Sequence, residues 1–475
     1  MPVRVKTLSF DRSLYAIAAG LIAFALAMAS GNALLQDPDV FSHLAVGRWI
    51  LAHRVVPDHD VFSHSMPGTP WIAHEWLSEV LMAWLFAAFG WAGLVVAAGL
   101  CFATAMALLT AALLRWLEPL PTAVAVAVAI AMCFPHLLAR PHVVSYPFLV
   151  GWTIVLVAAR DAERAPSLWW ALLMLAWANV HGSFLFGLVL AALFAAEAAF
   201  AATDVRATLR ALRAWLPFCL LALGAALVTP HTIDGLTYPI QHARLDYVLS
   251  WINEWQSPNM QQLQPIEAWI LLVLLGALFL GWRLPITRIA MLLLLLHMAL
   301  KHQRHGELLG LLAPLLAAPA LAPQLRRGPR IMPAFPSLAA GAALVAAIAA
   351  LWSLPRIGIA QDYAPVAALR AADEANLAGP VFNDYGFGGY LMFVGRPVFI
   401  DGRLDMYGDD LLRSFNDTTN LPRLLDDRRV EWTLLRPSSP HLALLDRLAG
   451  WRRLYSDDTA VVHVRTGDAA GSGKR

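Results

Sequence analysis

The chain has 475 residues, of which 59% are hydrophobic and 14% are charged, and its mean hydropathy is +0.59. Soluble domains are about 45–50% apolar and about 25% charged, so this composition excludes an ordinary soluble protein and predicts a membrane protein. The formal net charge is only +2 and the cations form no basic stripe, which argues against nucleic acid as a partner.

Apolar runs of membrane-spanning length recur from the N-terminal region to residue 354. A helix crosses the hydrocarbon core with about 20 residues. The first run follows three cations and contains small residues typical of a signal-peptide cleavage site, but its length favours an uncleaved anchor. The sequence predicts about eleven spans, at residues 14–35, 91–114, 121–138, 143–159, 167–180, 183–203, 214–229, 266–282, 285–300, 306–323 and 334–354.

Arginines mark every second connection between these spans. They are Arg115, then Arg160 and Arg164, then Arg206, Arg210 and Arg213, then Arg283 and Arg288, then Arg326, Arg327 and Arg330. Cytoplasmic loops carry the excess of Lys and Arg. We therefore expect a multi-pass protein of the bacterial inner membrane with a cytoplasmic N-terminus. The periplasmic segments would be 36–90, 139–142, 180–182, 230–265, 301–305 and 355–475.

The long first external loop, residues 36–90, carries two apolar stretches of its own. Phe41 to Arg54 mixes apolar and charged positions and predicts a helix lying on the membrane interface. Residues 58–69 contain Pro and Gly and should be irregular. Trp71 to Phe89 predicts a second interfacial helix that ends at Gly90.

Residues 356–467 change character, with more charges and shorter apolar runs. Alternating strands and helices predict a small periplasmic α/β domain, after a transmembrane domain of residues 1–355. We expect residues 468–475 to be a disordered tail. The predicted strands are Pro380–Phe382, Pro397–Ile400, Trp432–Leu435 and Ala460–Val464, and the predicted helices are Ala364–Ala375, Asp409–Asn416 and Leu442–Ala449.

Asp37 and Asp39 lie where the first span leaves the membrane. Two carboxylates two residues apart can bind a divalent cation or act as a base, and partial desolvation raises a carboxylate pKa toward the range useful for proton transfer. The alternative is that one of them merely caps the next helix.

A second set of polar groups falls at the external ends of several spans and in the first loop. Ionisable groups at membrane depth are costly and point to function, and arginine and lysine suit phosphate oxygens. The set predicts a cationic cavity for a phosphate, although interfacial anchoring explains some members. Its members are His43, Arg48, His74, Glu75, Arg140, His142, Asn179, His181, His231, Lys301, His302, Arg304 and His305.

A third motif runs from Phe382 to Tyr390 and is followed by Asp401-Gly-Arg403. It lacks the dinucleotide fingerprint, so its glycines either let a helix pack closely or form part of a site. Tyr385, Asp401 and Arg403 are the candidate binding residues at these strand ends. The sequence carries no Walker loop, H-E-x-x-H or paired C-x-x-C motif.

This layout resembles the GT-C class of membrane glycosyltransferases, which use polyprenyl-linked sugars. An acidic loop, Gln36 to His43, directly follows the first span, and His74-Glu75-Trp76 to Gly90 looks like the second interfacial helix of that class. A many-span core and a C-terminal periplasmic α/β domain complete the pattern. The chain lacks the Asp-Glu pair and the Pro-rich helix start of some members, and Asp384-Tyr385-Gly386 matches only the core of the oligosaccharyltransferase motif.

The resemblance implies an inverting transfer of a sugar from a polyprenyl-phosphate carrier to an acceptor hydroxyl of a glycan, lipid or protein. Asp39 would be the catalytic base, with Asp37 the alternate and a divalent cation at the pair possible. Arg140, Lys301, Arg304 and His305 would hold the donor phosphate. The other predicted substrate contacts are His43, Arg48, His74, Glu75, His181, His231, Tyr385, Asp401 and Arg403.

Three other readings remain open at this point. A polymerase or ligase of lipid-linked glycans would use arginine and histidine without a carboxylate base. A transporter would show inverted repeats and broken helices, which the sequence does not. A non-catalytic assembly or sensor protein would use the C-terminal domain to bind a partner and would tolerate loss of Asp39.

Overall fold

A computed structural model describes residues 10–242, 244–325, 336–352, 354–359 and 361–466. The predicted tail and Arg326, Arg327 and Arg330 lie outside these residues. In chain order the helices are α1 Phe10–Ser30, α2 Asp39–His53, α3 Trp76–Leu113, α4 Pro119–Cys133, α5 Pro141–Asp161, α6 Ala171–Ala178, α7 Phe184–Phe200, α8 Val205–Ala226, α9 Thr232–His242, α10 Asp246–Trp251, α11 Pro265–Phe279, α12 Ile286–Lys301, α13 Gly306–Leu325, α14 Pro336–Leu351, α15 Val366–Glu374, α16 Tyr385–Phe393, α17 Leu404–Asn416, α18 Leu421–Asp427 and α19 Leu442–Leu445.

Every predicted span contains one of these helices, and the protein is embedded in a membrane. Within the described residues, six helices are long and apolar enough to cross a bilayer by themselves. They are Arg12–Leu35, Trp76–Leu113, Pro119–His136, Pro141–Asp161, Val205–Ala226 and Gln303–Leu325. The helices in the remaining predicted spans are shorter than the hydrocarbon core requires of an untilted helix.

The chain divides into two compact units, within the described ranges. Unit 1 comprises Met1–Leu34, Ala92–Pro239 and Ile252–Ile357. Unit 2 comprises Leu35–Trp91, Ile240–Trp251 and Gly358–Arg475. The first external loop therefore folds with the C-terminal residues, an association that the sequence did not predict.

Unit 1 is a helical bundle whose first and last helices contact each other. The first and last of its long helices, α1 and α14, pack along each other, α13 packs on α4, α5 and α12, and α7 packs on α5 and α8. Fully buried aromatic side chains such as Trp152, Trp177 and Phe218 fill its interior, where each contributes a large apolar area to the core.

Arginine and glutamate side chains form a buried cluster. It involves the C-terminal end of α5, which carries Arg160, and the start of α12. Arg288 Nε lies 2.7 Å from Glu197 Oε2, and Arg160 Nε lies 3.5 Å from Glu197 Oε1. Arg288 also stacks over Phe194, with Cζ 4.5 Å from the ring centroid. These two arginines, predicted as markers of cytoplasmic loops, also hold helices of the bundle together.

Unit 2 contains the four-stranded sheet of the predicted α/β domain. Its strands are β1 Val381–Asn383, β2 Trp432–Leu435, β3 Trp451–Ser456 and β4 Val461–Arg465, in the order β1-β2-β4-β3. β1 and β2 are parallel, with Val381 opposite Trp432, and the other two pairs are antiparallel. β1 and β2 are buried throughout, α15 packs on β3 and β4, and Phe382 of β1 packs against Phe415 of α17 with ring centroids 5.1 Å apart.

One predicted strand is wrong and one real strand was missed. Residues 397–400 are extended but join no sheet, because Val398 instead exchanges backbone hydrogen bonds with Phe62 and His64 of the first loop, at 3.1 and 2.9 Å. β3 carries Arg452 and Arg453 and is mostly exposed, so it lacks the apolar pattern that predicts a strand.

The two predicted helices of the first loop are both present. α2 begins at Asp39, and the second helix begins at Trp76 and continues through Gly90 as α3. Gly90 has φ 62° and ψ −154°, a conformation that residues with a Cβ avoid. The predicted end of the interfacial helix is therefore a sharp kink.

Candidate active site

Asp37 and Asp39 have different roles at the start of α2. Asp37 Oδ1 accepts a hydrogen bond from the backbone N–H of Asp39 at 2.8 Å, which satisfies a donor that the helix leaves open. Asp39 is the first residue of the helix and is half-buried. Asp37 thus takes the capping role, and the carboxylate of Asp39 serves no such cap. A cation at this pair stays a prediction.

Two glycines of the C-terminal segment contact this turn directly. A Cβ on Gly402 would overlap Asp39 Oδ1, and a Cβ on Gly389, in α16, would overlap the carbonyl oxygen of Pro38. No residue other than glycine fits either position without a shift. The glycines of the third sequence motif therefore serve close packing, and the surface they pack against holds Asp39.

A histidine and two glutamates meet one turn further along α2. His43 Nδ1 lies 3.1 Å from Glu79 Oε1, and its Nε2 lies 3.8 Å from Glu75 Oε2. His74 Nε2 lies 3.7 Å from the other oxygen of Glu75. Burial opposes the charged ring of His43, but the hydrogen bond to Glu79 and the nearby carboxylates outweigh it and raise its pKa. Three predicted site residues, His43, His74 and Glu75, are therefore neighbours.

Arg48 lies on the same helix, but its guanidinium stacks on aromatic rings. Its Cζ is 4.3 Å from the centroid of Phe393 and 5.1 Å from that of Phe86. Such stacking leaves the edge of the guanidinium available for hydrogen bonds. Its role as a substrate contact stays a prediction.

Asp401 and Arg403 form a closed network in the interior of unit 2. Arg403 donates to both oxygens of Asp401 at 2.8 and 2.6 Å and to Asp60 Oδ1 at 2.6 Å, and Tyr407 donates to Asp401 Oδ2 at 2.7 Å. The hydrogen bonds from Arg403 and Tyr407 lower the pKa of Asp401 despite its complete burial. Both side chains are buried, and they join the first loop to the C-terminal segment. The network gives these two residues a structural role, and their contact with a substrate stays a prediction.

The predicted phosphate-binding residues of unit 1 do converge, but on a glutamate that the sequence did not single out. Arg140 Nη1 donates to Glu254 Oε1 at 2.9 Å, and Arg304 Nη1 lies 3.5 Å from Glu254 Oε2. Burial alone would raise the pKa of Glu254, but the two arginines lower it to about 2. The carboxylate is therefore ionised at neutral pH, and two cations face one anion.

Both arginines of this cluster lie at the starts of helices. Arg140 is the residue before α5, and Arg304 and His305 directly precede α13. Helix N-termini favour negative charge through their open N–H groups and the helix dipole. Lys301 at the end of α12 is exposed and forms no ion pair with a described residue. Its role at the donor phosphate stays a prediction. We call Arg140, Glu254 and Arg304 the cationic cluster.

An aromatic wall borders the cationic cluster. Arg304 Cζ lies 4.7 Å from the centroid of Trp255, and the rings of His302 and His305 stand edge-on to the same indole, at 5.2 and 5.7 Å. Stacking fixes the guanidinium plane and so preorganises it for a planar or tetrahedral oxyanion. His305 therefore lies beside the cluster, as predicted.

The remaining predicted contacts lie in separate surroundings. His181 bonds to Ser183 Oγ at 2.8 Å, and its ring lies 6.4 Å from that of His142. His231 occupies the turn before α9, and Tyr385, in unit 2, packs edge-on against Trp251 at 5.1 Å. Their contacts with a substrate stay predictions.

Three polar residues of these clusters escaped the sequence analysis. Glu254 lies in a segment rich in Asn, Trp and Gln that gave no periodic signal. Glu79 follows Glu75 by four residues, a spacing that places two side chains on one helix face, and that spacing was the available clue. Glu307 accepts from Tyr146 Oη at 2.5 Å inside unit 1, a pairing between positions far apart in the sequence.

Comparison with known proteins identifies the fold. No family model matches the chain, and no curated protein matches it. Among solved structures, the oligosaccharyltransferase of Archaeoglobus fulgidus in the apo form has a TM-score of 0.55 at 10% identity, covering 90% of this chain and 69% of that chain. ArnT from Cupriavidus metallidurans bound to undecaprenyl phosphate has a TM-score of 0.52 at 14% identity, covering 96% of this chain and 98% of that one. The predicted resemblance is confirmed at the level of the fold, which is that of the GT-C class of membrane glycosyltransferases.

Proposed function

We propose that this protein is an inverting glycosyltransferase that moves a sugar from a polyprenyl-phosphate carrier to an acceptor hydroxyl on the periplasmic side of the inner membrane. The observation that carries the proposal is the cationic cluster. Two arginines that lie at the starts of two helices face a single glutamate. One carboxylate leaves a surplus of positive charge, so the cluster suits a phosphate.

The exposure of the cluster supports a ligand-binding role. The side chains of Glu254, Arg304 and Arg140 retain 26%, 24% and 16% of their accessible surface. Phosphate oxygens can therefore reach the guanidinium groups and compete with Glu254 for them. The ArnT structure of the same fold holds undecaprenyl phosphate, which supports a polyprenyl phosphate as the anion.

Each chemical group has one role in the proposed reaction. The acceptor oxygen attacks the anomeric carbon while the bond from that carbon to the phosphate oxygen breaks. Polyprenyl phosphate leaves with the electron pair, and positive charge at the phosphate stabilises the developing anion. The acceptor proton passes to the carboxylate of Asp39, a step that contributes about 10²- to 10⁴-fold. A single displacement inverts the anomeric centre.

The position of Asp39, and the contacts that hold its turn in place, support its assignment as the catalytic base. It follows the first span, Asp37 takes the neighbouring cap, and Gly402 and Gly389 fix the turn around it. A base works only when its carboxylate is held within hydrogen-bond reach of the acceptor. A rigid turn with the carboxylate at its edge meets that need.

The test uses the full-length protein in lipid nanodiscs with a panel of undecaprenyl-phosphate hexoses and pentoses. A membrane-lipid and periplasmic-glycan extract supplies acceptors. Released undecaprenyl phosphate is measured by mass spectrometry. We expect release from at least one donor, dependent on the extract, with an inverted linkage in the product. Binding of donors without release or transfer, over the whole panel, would favour the non-catalytic reading.

A further inference from the structure

A second chemical feature of unit 2 stands apart from the proposed transfer. His43 on α2 and Glu75 and Glu79 at the start of α3 each offer a ligand atom, and these atoms all lie within 4.8 Å of one another. Glu75 and Glu79 are four residues apart and share one face of the helix start. We propose that these three residues bind a divalent transition-metal ion, with zinc the best match.

The buried atoms of the cluster argue for a missing partner. Glu79 is only 4% exposed. Its Oε2 and the Nε2 of His43 are buried with no hydrogen-bond partner among the described residues. A buried polar atom without a partner destabilises the folded protein, and more so when it is charged. An ion bound to these atoms would remove that destabilisation.

The net charge of the three side chains favours a divalent cation. Two carboxylates approach one imidazole, so the three side chains carry a net charge of −2 with a neutral ring and −1 with a protonated one. A single proton on His43 leaves Glu79 Oε2 without a partner, whereas a divalent ion neutralises both carboxylates.

The donor set selects the kind of ion. One imidazole nitrogen with two carboxylates suits zinc and related first-row ions, whereas calcium and magnesium prefer oxygen ligands only. Tetrahedral zinc with bonds of about 2.0–2.2 Å places its ligand atoms about 3.3 Å apart. His43 Nε2, the unpartnered ring nitrogen, lies 3.8 Å from Glu75 Oε2, close to that spacing. The other ring nitrogen, Nδ1, faces Glu79 Oε1 at 3.1 Å, which leaves Glu79 Oε2 for the ion.

The backbone already holds the two helices at the required separation. A Cβ on Gly47, one turn after His43, would overlap the carbonyl oxygen of Glu79. α2 and α3 are therefore in backbone contact beside the ligands. His74 lies 3.7 Å from the second oxygen of Glu75 and can orient that carboxylate, as outer residues of metal sites do. The ion would clip α2 to α3, a role that differs from the substrate contacts predicted for His43 and Glu75 from the sequence.

The test measures metal directly and does not depend on sugar transfer. Full-length protein with an affinity tag that contains no histidine or cysteine is purified in detergent, loaded with zinc and desalted. Elemental analysis should find about one zinc per chain. Competition with a fluorescent chelator gives the Kd. Absence of zinc after loading, with no change of Tm on adding zinc, would overturn the proposal.

Variants locate the ion. Glu79→Gln and His43→Gln should each raise the Kd for zinc at least about 10-fold, since even outer-shell losses cost about 10- to 100-fold. His53→Gln, at the exposed end of the same helix, is the matched control and should keep the wild-type Kd. Equal zinc affinity in all of these variants would place the metal elsewhere and contradict the proposal.

An X-ray absorption spectrum of the wild-type protein settles the matter where a variant fails to fold. We expect a first shell of one imidazole nitrogen with carboxylate oxygens at about 2.0–2.2 Å. A shell of several imidazoles, or one containing thiolate sulfur, would contradict the assignment. Neither result bears on whether the protein transfers sugars, so failure here leaves the proposed function standing.

Discussion

Unit 1 contains two clusters in each of which two arginines face one glutamate. One joins Arg160 and Arg288 to Glu197, and the other joins Arg140 and Arg304 to Glu254. The first also has the carboxylate of Asp161 within electrostatic reach of both arginines. α5 carries Arg140 just before its first residue and Arg160 near its last, so the clusters lie at opposite ends of a helix about 31 Å long. They differ in access. The side chains of Glu197 and Arg288 retain 9% and 5% of their surface, against 26% and 24% for Glu254 and Arg304. The second arginines are alike, with 20% for Arg160 and 16% for Arg140, so the difference in access is at the glutamate and at one of its two arginines.

The solvent exposure of the ion-paired side chains determines whether such a cluster can bind a ligand. A buried ion pair that is closed to water has no room for another anion, and removing one partner leaves an uncompensated charge. A pair that remains partly open costs less to separate and can exchange its carboxylate for a phosphate. The arginines of the Glu254 cluster also lie at the starts of α5 and α13, where a helix favours negative charge. We therefore expect the Glu197 cluster to stabilise the bundle, and the difference in access agrees with the ligand-binding role proposed for the Glu254 cluster.

The largest effect should come from Arg288→Ala, through stability. Its loss leaves Glu197 buried with only the longer contact to Arg160, and breaking a buried pair costs about 3–5 kcal/mol. The Tm in detergent should fall clearly, as followed by tryptophan fluorescence on heating. Arg283→Ala, an exposed position before the same helix, should leave the Tm unchanged. A wild-type Tm in Arg288→Ala would remove the structural half of the comparison.

Arg304→Ala should produce the next effect, in binding. A hydrogen bond to a charged group contributes about 1.5–3 kcal/mol, so the Kd for undecaprenyl phosphate in nanodiscs should rise about 10- to 100-fold. Arg304→Lys should recover only part of the affinity, since a point charge does not replace a planar fork. Arg283→Ala is again the control. Unchanged affinity in Arg304→Ala would show that the phosphate binds elsewhere.

Glu254→Gln should have a smaller effect in the opposite direction. The substitution removes the carboxylate that competes for both arginines but keeps its size and a hydrogen-bonding oxygen. We expect the Kd for undecaprenyl phosphate to fall several-fold, within about 1 kcal/mol. Glu267→Gln, in the first turn of α11, tests for a general charge effect. Weaker binding in Glu254→Gln would mean that the glutamate positions the arginines more than it competes with the ligand.

The smallest effect concerns pH. The pKa of Glu254 is lowered to about 2 from its ordinary value of 4.5, so its pairing is complete above pH of about 4.5 and is lost only as the pH falls through about 2. Between pH 8 and 5 the cluster therefore keeps its charge. The phosphate monoester loses half of its second charge near pH 6, so affinity should weaken modestly below that pH, measured by titration at fixed salt. A sharp loss above pH 7 would implicate another group.

The sequence predicted the fold largely because its strongest signals are local. Apolar runs and Arg-marked loops located helices in all the predicted spans, and Gly90 marked the kink in α3. Residues 397–400 read as a strand because the run is apolar, yet its hydrogen bonds go to Phe62 and His64. That partner lies more than 300 residues away, and local patterns contain no such information.

The candidate site was predicted in part, for the same reason. Arg140 and Arg304 stood out as ionisable residues at helix ends. Glu254 did not, since its role depends on two arginines distant in the chain. Asp401 and Arg403 looked like site residues at a strand end, but Asp60 and Tyr407 close the network around them. Charge type can be read from a sequence, whereas access to solvent depends on tertiary packing.

The central claim, base-catalysed sugar transfer, is tested most directly by the turnover of Asp39→Asn with the donor found active in the nanodisc panel. The substitution keeps the shape of the side chain and removes the proton acceptor. We predict that turnover falls by about 10² or more while the Kd for undecaprenyl phosphate stays within about two-fold, the pattern of an interaction needed only in the transition state. Asp37→Asn should have a milder effect, because Asp37 caps α2, and Asp58→Asn, at an exposed loop position, should have none. Full turnover in Asp39→Asn would contradict the account, and loss of turnover in Asp37→Asn alone would assign the base to the other carboxylate.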